Sequence, residues 1–402
     1  MKIAIAGAGI GGLAAALCLQ EKGFEVQVFE AVDALQPLGV GINVMPHAAG
    51  VLHGLGLGDA LDEMAIRTRA IEYRTRFGHL IQSDPRSVEA GFEYPQYSIH
   101  RGELQFLLLD TARARLGEGS VTPGKAVIGF TQDAEHVHVK FADGTVHDCD
   151  LLIDASGFRS NVRRQLHPNE GPAHYEGTMM WRGASLQEPF ADGRTMFIAG
   201  DHDVKFVCYP ISGRAARDGK ALINWVAEIR HDNPRAAEEA DWTREADRDF
   251  IAEYGGFCMG DIDIPALLKN TQKITQYPMI DRDPLPWWTD GRVTLLGDAA
   301  HPMYPMGANG ASQAIIDGRV LADCLAEQTG PEGLLAYEAI RHPITTNVVL
   351  NNRKSGPERV LDIAAARVKG LDDRIEDLIT AEELEEVAAS YRHIAGFQKK
   401  VV

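Results

Sequence analysis

The sequence predicts an α/β protein in which a parallel-sheet, nucleotide-binding domain is interleaved with an antiparallel-sheet domain and followed by C-terminal helices. Two glycine-rich segments far apart in the chain carry this prediction, GAGIGG at residues 7–12 and GDAAHPMYPMGANG at residues 297–310. Each follows a short apolar strand pattern and leads into a helix pattern. The third observation is a run of alternating, strand-like segments between residues 168 and 286, which is typical of an antiparallel layer.

Length and composition bound the class of protein. A chain of 402 residues with 45% hydrophobic and 24% charged residues is long enough for two globular domains. The net charge of −17 argues against nucleic acid or an anionic membrane as a partner. Five scattered cysteines without a C-x-x-C pair indicate a reduced, cytoplasmic chain without a metal or disulfide framework. No stretch is long enough to span a bilayer, and we expect a monomer or a homodimer.

The first glycine-rich segment has the fingerprint of a Rossmann-like dinucleotide site. An apolar strand precedes it, and an alanine- and leucine-rich helix follows. Gly7 makes the tight turn, Gly9 lets the backbone approach a pyrophosphate, and Gly12 permits close helix–strand packing. The next strand ends at Glu30, 18 residues after Gly12, near the spacing of an acid that binds ribose hydroxyls. This pattern alone does not separate FAD from NAD, although Glu30 would repel a 2′-phosphate.

The second glycine-rich segment joins a predicted strand at residues 292–296 to a helix predicted from Ala311 to about Leu325. Asp298 supplies one carboxylate in the turn, and residues 307–310 lead into the helix N-terminus. Unpaired N–H groups and the helix dipole favour an anion there. An ordinary strand–loop–helix is the alternative interpretation, but the full pattern is too specific to favour it.

These motifs resemble those of the single-component (group A) FAD-dependent aromatic hydroxylases, the p-hydroxybenzoate hydroxylase-like family, whose FAD-binding domain is of the GR2 type. The resemblance covers nearly the whole chain and is strongest to family members that modify phenazines. It implies that Asp298 holds the ribityl chain of FAD and that residues 307–310 face the N1–C2=O edge of the flavin. Since only one dinucleotide fold is visible, it also implies that NADH or NADPH is a transient co-substrate.

The resemblance implies a set of FAD contacts. A glycine-rich loop ending at Asn43 would pass beside the flavin ring, Arg101 would reach the ribityl–phosphate part, and the Val127 backbone would meet adenine. A plain turn for the loop and a surface ion pair for Arg101 are the alternatives. The implied cofactor-binding residues are Gly7, Gly9, Gly11, Gly12, Glu30, Ala31, Gly41, Arg101, Val127, Asp298, Gly307, Asn309 and Gly310.

Two positions depart from the family pattern. Ser156 stands where an aspartate is expected in the third motif, at residues 150–163, and this removes a charge that the family associates with both FAD and NAD(P)H. Asn43 stands where some relatives carry a basic histidine, and an asparagine cannot act as a base. The catalytic side chain is therefore unknown, and Asn43 and Tyr304 are expected only to lie near the flavin.

The second domain is expected to roof the substrate cavity. Side chains alternate between two faces along residues 205–211, and we expect Phe206 and Cys208 to point towards the substrate. A purely structural role for the aromatic residues is the alternative. The expected substrate contacts are Phe206, Cys208, Trp225, Tyr304 and Pro305.

The chain order predicts how the domains are divided. Residues 241–252 are expected to form a helix within the substrate domain, and an acidic run at residues 381–389 is expected to be a solvated helix face. The predicted division is an FAD-binding domain at 1–72, 101–167 and 286–354, a substrate domain at 73–100 and 168–285, and a C-terminal helical segment at 355–402.

The resemblance implies an FAD-dependent NAD(P)H:O2 monooxygenase. NAD(P)H would reduce FAD, O2 would add at the flavin C4a, and the hydroperoxide would hydroxylate an electron-rich aromatic or N-heteroaromatic ring, such as a phenazine-like carboxylic acid. One alternative is a flavin reductase or dehydrogenase on the same fold, which would consume the nucleotide without hydroxylating. The other is a non-catalytic flavin-binding protein, which only Ser156 favours.

Overall fold

The computed structural model is a mixed α/β protein built on one five-stranded, one seven-stranded and two three-stranded sheets. It describes residues 1–37, 39–231, 245–354, 358–380, 382–384 and 386–387. The strands are β1 (Lys2–Ala6), β2 (Glu25–Phe29), β3 (Gly41–Val44), β4 (Ile66–Arg67), β5 (Ala70–Arg74), β6 (Leu80–Pro85), β7 (Tyr97–His100), β8 (Val121–Thr122), β9 (Val127–Gln132), β10 (Val137–Phe141), β11 (Val146–Cys149), β12 (Leu151–Asp154), β13 (His174–Gln187), β14 (Thr195–Gly200), β15 (Val204–Pro210), β16 (Ala221–Arg230), β17 (Thr275–Asp281) and β18 (Val293–Leu295).

Helices connect and cover these sheets. The α-helices are α1 (Ile10–Glu21), α2 (Pro46–Gly54), α3 (Gly58–Met64), α4 (Arg101–Leu116), α5 (Asn161–Leu166), α6 (Gly213–Arg217), α7 (Ile264–Asn270), α8 (Gly310–Glu327), α9 (Pro331–Asn352), α10 (Arg359–Arg367) and α11 (Ile375–Leu378). Short 3-10 turns lie at Ser87–Ala90, Glu118–Ser120, Asp249–Tyr254, Gly297–Ala299 and Met306–Ala308.

The five-stranded sheet is parallel, in the order β18-β12-β1-β2-β8, as the strand–glycine–helix patterns predicted. Its three neighbouring strands β18, β12 and β1 come from the end, middle and start of the domain, and they finish at the same sheet edge. Helices α1 and α8 pack closely, because a Cβ on Gly318 would lie 2.8 Å from the backbone of Ala15. Ligands of such sheets bind beyond the carboxyl ends of the strands.

The seven-stranded sheet has the order β17-β13-β16-β15-β14-β5-β6 and is mostly antiparallel. One of its faces carries an aromatic core that is covered by the 3-10 turn at residues 249–254 and by α7. The other face meets the loop at residues 304–306 near β13 and β17, and helix α10 near β14 and β15. The two faces therefore have different neighbours, and this decides which side chains reach the site.

Two predicted elements differ from the structure or lie outside it. The helix expected at residues 241–252 begins outside the described residues, and its described part forms the short 3-10 turn at 249–254 rather than an α-helix. The acidic run at 381–389 lies partly outside the described residues. The predicted strands and helix around the two glycine-rich segments are confirmed, with α8 running from Gly310 to Glu327. Within the described residues, no helix combines the length and the apolar character needed to cross a membrane.

Candidate functional site

The turn after β1 forms an open cradle at the N-terminus of α1. Gly7 has φ +104°, and a Cβ there would lie 2.5 Å from the carbonyl oxygen of Ala155. A Cβ on Gly12 would lie 2.0 Å from the Gly7 carbonyl oxygen, so both positions need glycine. Around Gly9, by contrast, no described atom lies within 4 Å of the position of a Cβ. The open backbone at Gly9 leaves room for a phosphate group at the positive end of the helix.

Glu30, Gly11 and Val127 lie around this cradle. The Glu30 carboxylate accepts hydrogen bonds from the backbone N–H groups of Ala8 at 2.8 Å and Val32 at 3.1 Å, which orients it beside the turn, next to the exposed Ala31. A Cβ on Gly11 would lie 3.0 Å from the Cβ of Ala314, so this glycine serves the packing of α1 against α8. The Val127 carbonyl, on the rim, accepts a hydrogen bond of 2.8 Å from Asn161.

The turn after β18 carries Asp298 into the same groove. Gly297 has φ +60°, and a Cβ on Gly310, at the start of α8, would lie 3.9 Å from Asp298 Oδ1. Gly307 and Ala308 both have positive φ angles, of 67° and 55°, which turn the loop sharply before Asn309 begins the helix.

Arg101 lies at the start of α4 on the opposite wall of the groove. Its side chain is open to solvent, as is that of Asp298. Enclosure by the groove walls lowers the pKa of the Arg101 guanidinium, and the Asp298 carboxylate opposes this effect. One cation and one carboxylate thus lie within electrostatic reach across the groove.

The third motif keeps a carboxylate, although at a different position from the one expected. Asp154, at the end of β12, is fully buried and accepts hydrogen bonds from the hydroxyl of Ser156, at 2.5 Å, and from the hydroxyl of Ser160. Burial raises the pKa of the Asp154 carboxyl, and the two serine hydroxyls oppose that rise. The carboxylate of Asp154 is thus bonded to the motif's own serines, two residues upstream of the position where an aspartate was expected.

Arg163 joins this motif to the Asp298 turn. Its buried Nη1 donates hydrogen bonds to the carbonyl oxygens of Ala299 at 2.9 Å and Ala300 at 3.0 Å. Its Nε and Nη2 bind the two carboxylate oxygens of Glu170, at 2.9 and 2.6 Å. The position of the Asp298 turn therefore depends on one guanidinium from a distant part of the sequence.

A second buried polar network, which the sequence interpretation missed, fixes the same turn from behind. Asp317 in α8 accepts hydrogen bonds from Arg341 at 2.7 Å and from the backbone N–H of Gly297 at 3.1 Å, and it lies 2.6 Å from His301 Nε2. Burial alone would raise the pKa of the Asp317 carboxyl, but His301 and Arg341 hold it below its usual value. The signal in the sequence was that Asp317 is the charged residue among those that α8 buries.

The residues expected to contact substrate divide between the two faces of the seven-stranded sheet. Phe206, Cys208 and Trp225 are fully buried in the aromatic core on the face covered by α7. The Phe206 and Trp225 rings stack with centroids 6.2 Å apart, and Trp225 Nε1 donates a hydrogen bond to Thr271 at 2.9 Å. The expectation that these three side chains face the substrate is wrong, because strand alternation turns them away from Tyr304.

The opposite face of the sheet meets the loop at residues 304–310, which we call the flavin loop. Tyr304 packs with Met180, Tyr277 and Met279 in a small buried cluster, with Val226 and Met306 partly buried against it. The Tyr304 hydroxyl lies 2.8 Å from Nδ1 of His174. The neighbouring Pro305 precedes the sharp turn at Gly307. This cluster is largely apolar and contains three methionine sulfurs, and through Tyr304 and Met306 it includes part of the second glycine-rich loop.

Asn43 lies in β3, on the other side of the groove. It is buried, and its Oδ1 accepts hydrogen bonds from the Ser98 hydroxyl at 2.7 Å and from the Gln96 amide at 3.3 Å. Its Nδ2 contacts the sulfur of Met196 at 4.0 Å. Because its amide is held on both sides, Asn43 serves as a structural connection between β3, β7 and the substrate sheet.

Gly41, at the start of β3, connects that strand to the substrate sheet. Its backbone N–H donates to Asn224 Oδ1 at 2.7 Å, and its carbonyl accepts from Arg182 Nη2 at 2.9 Å. Arg182 Nη1 also donates to the Tyr277 hydroxyl at 2.7 Å. A Cβ on Gly41 would lie 2.6 Å from Ile211, so only glycine allows this close approach.

A polar crevice beside Tyr304 and Met306 connects the substrate sheet to the C-terminal helices. At its centre the buried Lys205 binds Glu228, with an N–O distance of 2.8 Å, and Glu358, which precedes α10. Removing either carboxylate would weaken the pairing of this buried lysine and destabilise the protein. The C-terminal segment is thereby attached to the face of the sheet that meets the flavin loop.

Replacing Asp298 with alanine is expected to weaken FAD binding about 10- to 100-fold, because it removes a charged hydrogen-bond acceptor worth about 1.5–3 kcal/mol. The dissociation constant can be measured by titrating FAD into the deflavinated protein. Asp261→Ala, which removes an exposed carboxylate far from the groove, is the control. Equal FAD affinity in Asp298→Ala and the control would show that Asp298 does not bind the ribityl chain.

Comparison with known proteins agrees with this geometry. The family model described as "FAD binding domain" matches residues 1–352. The chain is 44% identical over 361 residues to a phenazine 1,6-dicarboxylic acid hydroxylase of Lysobacter antibioticus, covering 87% of this chain and 89% of that one. It is 33% identical over 369 residues to a 3-amino-4-hydroxybenzoate 2-monooxygenase of Streptomyces cremeus, covering 89% and 87%.

A solved structure gives the same result for the fold. HpxO of Klebsiella pneumoniae, in complex with FAD and uric acid, matches with a TM-score of 0.75 and 25% identity, covering 98% of this chain and 93% of that one. The groove fits FAD on its own evidence, since it contains both the free space at Gly9 and the exposed carboxylate of Asp298. The predicted resemblance to phenazine-modifying hydroxylases is confirmed.

Proposed function

Because the chain belongs to the FAD-binding family of single-component aromatic hydroxylases, we propose that its substrate is an aromatic or N-heteroaromatic carboxylic acid of the phenazine type. The protein is an FAD-dependent monooxygenase that hydroxylates a small aromatic molecule. The observation that carries the substrate proposal is the apolar wall around Met180, Tyr277 and Tyr304, directly beside the flavin loop. Two relatives named for aromatic carboxylic acids, a phenazine dicarboxylic acid and a hydroxybenzoate, support it.

The groove residues would each hold a different part of the cofactor. We assign the pyrophosphate to the backbone at Gly9, the ribose hydroxyls to Glu30 and the ribityl chain to Asp298, with Arg101 on the opposite wall. When bound, FAD supplies the redox chemistry, by accepting hydride and activating O2. The N-terminus of α8 provides positive potential at the flavin edge that becomes negative on reduction.

The wall of the substrate sheet positions the ring and excludes water. Met180, Tyr277 and Met306 would present apolar surface to the substrate, and excluding water limits the unproductive loss of reducing equivalents to O2 as hydrogen peroxide. Burial raises the pKa of the Tyr304 phenol well above neutral, so its hydroxyl stays protonated next to His174. Asn43 cannot take a proton either. The residues of this site therefore bind and orient the substrate instead of activating it as bases.

We expect the hydroxylation step to change less than about threefold between about pH 6 and pH 9, since Asn43 cannot take a proton and the Tyr304 hydroxyl stays protonated. The substrate should accordingly be nucleophilic already, as an amino-bearing or N-substituted heteroaromatic ring is. The measurement is the rate of product formation in a single turnover, after mixing the reduced protein and substrate with O2. A tenfold rise per pH unit that disappears in His174→Gln would show that the Tyr304–His174 pair acts as a base.

The substrate proposal can be tested by a screen of NAD(P)H oxidation with aromatic and N-heteroaromatic acids, read by product mass. We expect at least one acid to stimulate oxidation and to gain one oxygen atom. Nucleotide oxidation without a hydroxylated product from any acid would contradict the proposal and favour a reductase. The same assay compares NADH with NADPH as the reductant.

We further propose that the protein is cytoplasmic. We also propose that it is a monomer or a homodimer, and size-exclusion chromatography with light scattering can test this oligomeric state.

A further inference from the structure

Two side chains of the substrate sheet converge on the backbone of Gly41. Arg182 in β13 and Asn224 in β16 lie on the same face of the sheet, close to one another, since Arg182 pairs with Val226 and Asn224 with Ala184. Asn224 takes the N–H of Gly41 and Arg182 takes its carbonyl. Each of these side chains uses only part of its hydrogen-bonding capacity in this contact.

One further donor of each side chain has no partner among the described residues. Nε of Arg182 and Nδ2 of Asn224 are buried, and in the part of the chain that the structure describes neither has a hydrogen-bond acceptor. Asn224 is fully buried. A buried donor without an acceptor costs about 1–3 kcal/mol, so two at one place indicate that an acceptor from outside the protein belongs there.

Arg182 is partly exposed and forms no ion pair among the described residues, unlike three buried cations of this chain. Glu228 acts on its charge only from beyond ion-pair distance. Lys205 has Glu228 and Glu358, Arg163 has Glu170, and Arg341 has Asp317. Among the described residues, by contrast, no carboxylate lies within ion-pair distance of Arg182. Its acceptors are a phenol oxygen and a backbone carbonyl. A partly buried guanidinium is stabilised by an anion, and the ligand can supply one.

These donors lie where the flavin groove meets the substrate wall. Arg182 shares its sheet face with Met180 and Val226, which contribute to the cluster around Tyr304. It is also close enough to Arg101 in the groove for their positive charges to interact. The site therefore has an apolar wall for a ring on one side and two free N–H donors on the other.

We propose that Arg182 and Asn224 bind the carboxylate of the aromatic substrate, through Arg182 Nε and Asn224 Nδ2. The inference rests on the proposed function and names the residues that select for a carboxylic acid. A planar carboxylate offers two oxygens to two separate N–H donors, which matches the free donors in number and in charge. The N-terminus of α8 would stabilise the negative charge of the reduced flavin, so that charge does not require these donors.

Asn224→Asp tests this with a minimal change in shape. One oxygen of the introduced carboxylate can still accept the Gly41 N–H, so the connection between β3 and the sheet is kept. The second oxygen, however, replaces the free donor and supplies Arg182 with an anion inside the protein. The matched control is Gln187→Glu, which adds the same charge at the far end of β13, where Gln187 pairs with Ala221.

The probes are phenazine-1,6-dicarboxylate and unsubstituted phenazine, with 3-amino-4-hydroxybenzoate and its primary carboxamide as a second pair. Dissociation constants are read from the flavin absorbance change of the oxidised holoenzyme, without reductant. We expect Asn224→Asp to weaken binding of the acids about 30-fold or more while the uncharged partners change little, and we expect Gln187→Glu to bind both like the wild type.

Several results would overturn the proposal. Equal weakening of acid and uncharged partner would mean that the two donors serve the flavin or β3, and unchanged acid binding would mean that they bind no anion. If Asn224→Asp does not retain FAD, the test is the affinity of the wild-type protein for each acid and for its uncharged partner. Equal affinity for the two would contradict a carboxylate site. If no acid binds the wild type but other aromatic compounds are hydroxylated, the inference fails while the monooxygenase function stands.

Discussion

Arg163→Ala is expected to lower the free energy of unfolding by about 3–5 kcal/mol and to deprive the protein of most of its FAD. The substitution leaves the half-buried Glu170 with Arg282, at 3.5 Å, as its remaining cation, and it removes both hydrogen bonds that hold the carbonyls of Ala299 and Ala300. Since these carbonyls belong to the turn that carries Asp298, stability and cofactor retention should fall together. Urea unfolding followed by circular dichroism gives the first quantity, and the ratio of flavin to protein absorbance gives the second.

Arg164→Ala is the matched control, because it removes the neighbouring arginine of α5 from an exposed position, where that arginine donates a hydrogen bond to Asn161. It should change stability by less than about 0.5 kcal/mol. An Arg163→Ala protein that unfolds at the wild-type urea concentration and retains flavin would refute the view that the third motif supports the Asp298 turn.

The second large effect is expected from Asp317→Ala, again a loss of about 3–5 kcal/mol. Removing this carboxylate leaves the buried Arg341 without an anion and leaves the Gly297 N–H without an acceptor. Asp323→Ala, in the same helix, is the control, because its ion pairs with Lys22 and Arg319 lie at the surface and are worth about 0–1 kcal/mol. Similar unfolding midpoints for the two variants would show that the Asp317 network contributes little.

The same pair of variants predicts a difference in acid stability. The pKa of Asp317 is held below its usual value in the folded protein, so the stabilisation from its charge is present above the unfolded value of 3.8 and is lost as the pH falls through the folded value. Below about pH 4 the stability advantage of the wild type over Asp317→Ala should therefore shrink. For Asp323→Ala the small difference from the wild type should stay small throughout.

The sequence was sufficient to predict the parts of this protein whose structure depends on local backbone conformation. Gly7, Gly12 and Gly297 are required by positive φ angles or by close contacts with neighbouring backbone and side chains, and such requirements leave a local pattern that can be read directly. The strand before each glycine and the helix after it follow from hydrophobic periodicity. The parallel sheet and the groove at its carboxyl edge were predictable for that reason.

What could not be predicted depends on contacts between distant segments. Alternation along β15 separates Phe206 from Val207 but does not say which face will be covered, and the covering residues 249–271 follow about 40 residues later. The networks around Arg163 and Asp317 connect residues separated by 7 to 137 positions, and no local pattern marks them. Asp154 was visible in the sequence of the third motif, but the sequence did not indicate what it binds. Its hydrogen bonds with Ser156 and Ser160 appear only in the structure.

The order of strands in the parallel sheet has a consequence for synthesis of the chain. Strand β1 has β2 on one side, but on the other it pairs with β12 and, through it, with β18, which lies almost 300 residues downstream. The two halves of the groove, at Gly9 and at Asp298, thus come from opposite ends of the domain. A nascent chain cannot complete the groove until residue 310 and the first turns of α8 have left the ribosome. Folding should therefore be slow, since non-local pairing must precede stability, and flavin capture should mark its final stage.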